Sequence, residues 1–342
     1  VYKRQALREG LTLCSGPLLL SLFPFLVVSR LLIQCPESDL LALPFRLAAW
    51  GIGIRTPCAA RVLCIGFLGG FAPAASAAAQ AVRTGQLTAE EADALLPACI
   101  CSGPSFVVLT VGQSLLGSAE LGVLLFASQI TANYLTAALL NRFAGVRSVK
   151  PESAAPASPA PPRLDEILAD AAITYCKLCG FILFFRMLAA GAGALLPAGA
   201  GTLCSILLEV CSGCDLASRT GRWGSLLCCV ALSVQGLSVL LQVRTICPPE
   251  MTLRPLYRSR LLHLPLSLAL FYLLLPGGEA DVFSTLPARV LLMRRVPPDC
   301  ALLVFAVCCM AACTLRSGIR QVEQKQMARN AGGCCINSKT LL

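Results

Sequence analysis

One histidine, His263, stands in a chain of 342 residues, and that scarcity excludes much at once. Histidine-based acid–base or triad catalysis would have a single imidazole to draw on. No hydrolase triad and no glycine loop suited to cradling phosphate accompanies it, so soluble enzyme activity is not supported. Charge is scarce too: 13% of residues are Asp, Glu, Lys or Arg, whereas a soluble domain carries about a quarter. The basic residues are not interleaved with aromatics, which make up only 6% of the chain, and this argues against nucleic-acid binding. After the apolar stretch 11–33 come Arg30 and Gln34 instead of a small-residue cleavage site, so an uncleaved first helix is expected there. The opening Val1-Tyr2-Lys3-Arg4-Gln5 lacks Met and reads as a truncation or sequencing scar, to be left out of the fold.

Apolar sequence is abundant. It accounts for 56% of residues, and the mean hydropathy is +0.74. Spanning or re-entrant segments are expected near 11–33, 45–72, 94–117, 119–141, 166–190, 195–216, 223–243, 258–276 and 300–316. Lipid offers backbone groups no water, so the expected fold is all-α, a polytopic transmembrane helix bundle. A Pro/Ala-rich stretch, 146–165, breaks the apolar pattern and reads as an extended, solvated linker. It separates a first half, 6–145, from a second, 166–316, and a basic tail, 317–342, follows. The halves open alike, with "SLFPFLVVSRLL" in one and "GFILFFRMLAAG" in the other. The net charge of +10 gathers around the linker (Arg142, Arg147, Lys150, Arg163) and in the tail (Arg316, Arg320, Lys325, Arg329), which places both on the cytoplasmic side.

The twenty cysteines read as small, soft apolar residues of membrane helices in a reducing environment. Cys176/Cys179 and Cys211/Cys214 have paired metal-ligand spacing, but their apolar context argues against a metal, and no cofactor is expected. For the same reason a thiol oxidoreductase is disfavoured, because it needs an accessible thiol of low pKa.

The candidate site lies where apolar helices are interrupted. Ser102-Gly103-Pro104-Ser105 breaks the stretch Leu95–Gly117, and Gln235-Gly236 breaks Leu226–Val243. Interrupted segments at matching positions of two halves point to a transporter's binding site, where half-helix ends offer amides or carbonyls to a solute. Ser233, Ser238 and Gln242 flank the second break. Glu209, followed by Ser212, Gly213 and Asp215, is an acid deep in an apolar run and hence a functional candidate. Lys177 and Arg186 can snorkel. Gln113, Gln129, Asn133 and also Gln242 have the character of interhelical hydrogen-bonding residues. The small residues Gly66, Gly70, Ala74 and Ala78 read first as a helix-packing stripe, with Pro73 also suited to a re-entrant hairpin tip.

Several of these stretches together resemble the YlbJ/SpoVV family of sporulation integral membrane proteins. Those carrying the resemblance are Gly66 to Gly112, Glu209-Val210-Cys211-Ser212-Gly213 against a Glu-x-Thr-x-Gly pattern, Ser233 to Val243, Tyr257 to His263, and "SLFPFLVVSRLL". The family belongs with nucleoside-recognition (Gate) proteins, related to concentrative nucleoside transporters and to the Gate region of the ferrous-iron transporter. The resemblance implies two repeated halves with broken or re-entrant helices. It also implies a multi-pass protein of the mother-cell membrane around the forespore, moving dipicolinate, a small aromatic dianion. Membership of the wider group leaves a nucleoside or another small solute as an alternative cargo. Departures from the pattern occur at Ser76, where the family has a Lys nearby, at Ile100 and Cys101 in place of an Asn pair, at Gln235 in place of a Gly, and at Leu240. A site less polar than the pattern leaves a changed substrate open. A scaffold acting through the basic linker and tail is the alternative from a different class, and an oligomer is compatible with either.

Overall fold

The computed structural model describes residues 2–34, 36–145 and 164–275. The linker after Gly145, the apolar stretch 300–316, the tail 317–342 and the charges they carry lie outside the described residues. Among those described there is no strand, and the protein is a helical bundle. Three helices are long and apolar enough to cross a membrane: Ala119–Ala144, Leu164–Leu195 and Gly221–Ile246. A fourth arises if Arg4–Leu20 and Leu22–Ile33, bent by 41°, count as one span.

The first described helices are α1 (Tyr2–Ser15) and α2 (Pro17–Gln34), so Tyr2–Gln5 of the stretch set aside as a scar lie in a helix. Then follow α3 (Leu43–Gly51), α4 (Pro57–Gly69), α5 (Phe71–Arg83) and α6 (Ala89–Cys99). A π-helical segment, Ser105–Leu115, leads into α7 (Ala119–Ala144). Beyond the linker come α8 (Leu164–Leu195), α9 (Ala198–Leu208), α10 (Val210–Ser218), α11 (Gly224–Val234), α12 (Gly236–Ile246) and α13 (Arg254–Leu274).

Several expected spans are therefore composite. The stretch 45–72 divides at Gly53, which is left-handed (φ 88°), before Pro57 starts α4. The stretch 94–117 divides at 100–104, and 195–216 divides at Glu209. Local chemistry accounts for the helix starts nearby. Thr88 and Glu91 form a capping box on α6: the Glu91 N–H donates to Thr88 Oγ1 (3.1 Å) and the Thr88 N–H to Glu91 Oε2 (3.2 Å). Ser118 caps α7, which ends on left-handed Gly145 with Arg142 in its last turn, favourable to the helix dipole.

Burial separates the helices. Only 22% of the spanning window of α8 is buried, against 61% for the window across α11 and α12, so α8 lines the periphery and the broken pair runs through the middle. Helix α5 is central as well: Ala72, Ala74, Ala75, Ala77 and Ala78 have no exposed surface, and small side chains let α2, α4, α6 and α12 close on it. The π-helical segment meets α7 backbone to backbone, since a Cβ at Gly112 would lie 2.4 Å from Gly122 Cα. Asp93 of α6 holds the start of α13 by accepting from the N–H groups of Thr252 (2.8 Å) and Leu253 (3.1 Å). Asn141 of α7 donates to the carbonyls of Ile52 (2.9 Å) and Ala94 (3.1 Å).

Candidate functional site

Four helix interruptions meet inside the bundle. They fall at Gly70 between α4 and α5, at Ile100–Gly103 before the π-helical segment, at Glu209 between α9 and α10, and at Gln235 between α11 and α12. They touch in pairs. A Cβ on Gly70 would stand 2.6 Å from the backbone N of Gly103, and one on Gly236 would stand 2.9 Å from the N of Glu209. Backbones approach this closely only where side chains are absent, and Gly70 (φ 80°) and Gly236 (φ 67°) are also left-handed. One carbonyl joins the pairs: Ile100 O accepts from Gln235 Nε2 and from Asn133 Nδ2 of α7, both at 3.3 Å.

The residues expected from sequence divide accordingly. Ser102 and Gly103 lie at the first junction, with Ser102 buried, Gly103 and Pro104 half-buried and Ser105 exposed. Gln235 and Gly236 lie at the second. Gln235 is itself left-handed (φ 62°), a conformation that costs a residue with a side chain about 1 kcal/mol or more. Glu209 is buried beside Gly236, but its oxygens turn onto its own helix and accept from the N–H groups of Cys211 (2.8 Å) and Ser212 (2.7 Å). A carboxylate there satisfies orphan amides and faces the positive end of α10, which is how the protein bears a buried acid. The polar patch expected to extend from it does not form: Asp215 pairs instead with Arg219 (2.8 Å), and Gly213 serves the close packing of α10 on Ile206. Ser212 is half-buried, with its N–H on Glu209. Ser233 accepts from Gln129 Nε2 (2.9 Å), donates to Cys229 O (2.7 Å) and touches Ser267. Ser238 accepts from Gln242 within α12 (2.8 Å), a pair set apart from the junctions by up to about two turns of helix. Gln113 is exposed.

Of the residues that complete the junction, sequence reasoning named Gln129 and Asn133 as interhelical hydrogen-bonding residues and His263 as the lone histidine, but it did not single out Arg260. Arg260 of α13 is buried among these groups, and no acid pairs with it among the described residues. Its Nη2 donates to Asn133 Oδ1 (3.1 Å) and its Nε to Ser259 Oγ (3.3 Å), while Nη1 has no hydrogen-bond partner among the described residues. Next to it, His263 Nε2 contacts Gln129 O (3.2 Å), and among the described residues its Nδ1 has no hydrogen-bond partner, nor has Oε1 of Gln129 or of Gln235. Sequence held a signal for them. Positions 260, 263 and 267 on α13 and 129, 133 and 136 on α7 repeat polar residues at helical spacing, so each helix carries a polar stripe.

Chemically, the junction brings together one fixed positive charge, amide oxygens and an imidazole inside the packed bundle. A buried guanidinium with no carboxylate beside it costs several kcal/mol, which its hydrogen bonds to Asn133 and Ser259 offset only in part. A wider concavity of about 580 Å³ between Trp223, Leu227 and Tyr272 is apolar and suits lipid tails better than a polar solute. Among the described residues, no group of three or more His, Cys, Asp or Glu is placed to hold a metal ion. No family model matches the chain, and neither a curated protein nor a solved structure matches it.

Proposed function

We propose that the chain is a secondary transporter of a small anionic solute, built as two halves that each carry a broken hairpin and a broken helix. The observation that carries this reading is Arg260, a buried cation with no acid paired to it among the described residues, where four helix interruptions meet. Unwound backbone at such depth is tolerated only where protein or a water-filled path satisfies it, and transporters place their sites there. The resemblance to the YlbJ/SpoVV family supplies the cargo to try first, dipicolinate, and the membrane in which to look, that surrounding the forespore. A guanidinium suits a carboxylate of such a dianion through paired N–H donors.

The test is uptake of labelled pyridine-2,6-dicarboxylate by proteoliposomes containing the full chain. Uptake above protein-free vesicles, cut about a hundredfold in Arg260→Gln with reconstitution unchanged, is the expected result. Arg260→Lys should retain part of the flux, since the charge survives and the planar fork does not. Wild-type uptake no faster than in empty vesicles, or full flux in Arg260→Gln, would sink the proposal.

A further inference from the structure

A second polar region lies away from the junction. A cavity of about 140 Å³ opens between α2, α5, α8 and α12, lined among others by Arg30, Ser76, Arg83, Asp170, Lys177 and Gln242. Its floor is buried and incompletely bonded: among the described residues Ser76 Oγ, Gln242 Oε1 and Arg30 Nε have no hydrogen-bond partner, and all three side chains are more than nine-tenths buried. Its mouth is basic, with Arg83 and Lys177 both exposed. Arg30 is held in place by an ion pair with Asp170. Three cations (Arg30, Arg83, Lys177) against one acid (Asp170) leave a formal charge of +2, and the other lining residues are neutral.

We infer that this cavity binds a compact dianion, a small dicarboxylate or a phosphate, and loads it towards the helix junction. The charge excess sets the sign and number of charges on the ligand. The volume admits a compact anion and is too small for a nucleoside or a peptide. Ser76 Oγ and the two exposed cations supply donors to its oxygens, while Gln242 Oε1 can take a hydroxyl or a protonated oxygen. Ser76 and Gln242 each lie six residues past a left-handed glycine of the junction, Gly70 and Gly236, or about 9 Å along α5 and α12. The same two helices thus floor the cavity and end at the junction. As a loading site the cavity rests on the transport reading; as a dianion site it does not.

The decisive measurement is thermal stabilisation of the full chain in phosphatidylcholine nanodiscs by malonate and, separately, by inorganic phosphate. Wild type should be stabilised by at least one probe, and Arg83→Gln/Lys177→Gln should bind it at least about tenfold more weakly. Both substituted residues are exposed, so the fold should survive, and Ser76→Ala should weaken binding without touching any charge. No stabilisation of the wild type by either probe, or unchanged affinity in the double variant, would overturn the assignment. A parallel set containing phosphatidylglycerol separates a solute from a lipid headgroup. Undiminished malonate binding supports the solute, whereas loss of that binding gives the cavity to the headgroup and overturns the loading role. Arg260→Gln should leave binding intact. Binding without flux would count against transport alone, and flux without binding against the cavity alone.

Discussion

The two pairs of touching interruptions answer one physical problem differently. At Gly70 and Gly103 the chains meet with nothing but backbone between them, and the bare approach itself makes the junction. At Glu209 and Gly236 one partner is again a glycine, but the other is a buried carboxylate that caps α10, and beside them Gln235 reaches across to Ile100. The first junction depends on the absence of side chains and the second on their presence. The first should therefore fail by steric intrusion and the second by loss of hydrogen bonds.

The largest expected effect follows from filling the first junction. Gly70→Leu would add a side chain to a left-handed residue 2.6 Å from backbone and should cost about 3 kcal/mol or more. Gly103→Ala is the sharpening control, because its Cβ would meet nothing nearer than 3.4 Å and should be tolerated. Urea unfolding in micelles, or resistance to proteolysis, would rank the two; equal effects would mean the junction is looser than its geometry.

Next comes the second junction. Glu209→Ala orphans two partly buried N–H groups and should cost about 2 kcal/mol, whereas Glu209→Gln keeps one acceptor and should cost about 1 kcal/mol in the same assay. A neutral Glu209→Ala would show that water replaces the cap. The smallest effect is expected at Gln235. Gln235→Gly relieves a left-handed backbone but removes the donor to Ile100, two opposed terms near 1 kcal/mol, so stability should change by less than about 1 kcal/mol.

How far the sequence foretold this depends on which kind of interruption is at issue. Ser102-Gly103-Pro104 and Gln235-Gly236 announce themselves, because each sets helix breakers inside an otherwise apolar run. Glu209 announced a costly acid but not that the helix ends at Leu208, since a capping carboxylate and a buried one look the same in sequence. Gly70 was hidden in a run of small residues whose packing role was correctly expected: Gly66 lies against Cys99, yet the same run also holds a break. The need for a residue without a side chain there is set by the Cys101–Gly103 backbone, which approaches from elsewhere in the chain. Arg260 was obscured for a related reason. It is one of several arginines at the start of α13, and only the fold makes it the buried one while Tyr257 and Leu261 face outwards.

Asn133 holds Ile100 with its nitrogen and Arg260 with its oxygen, while Ile100 is also gripped by Gln235. That single amide is the middle link of a relay from a charge on α13 to the kink of α11–α12. On the transport reading, an oxyanion that drew Arg260 away would leave Asn133 short of a donor and weaken its hold on Ile100. Charge recognition and helix movement would then be one event, which an isotope-labelled Ile100 carbonyl would record as a change in stretching frequency.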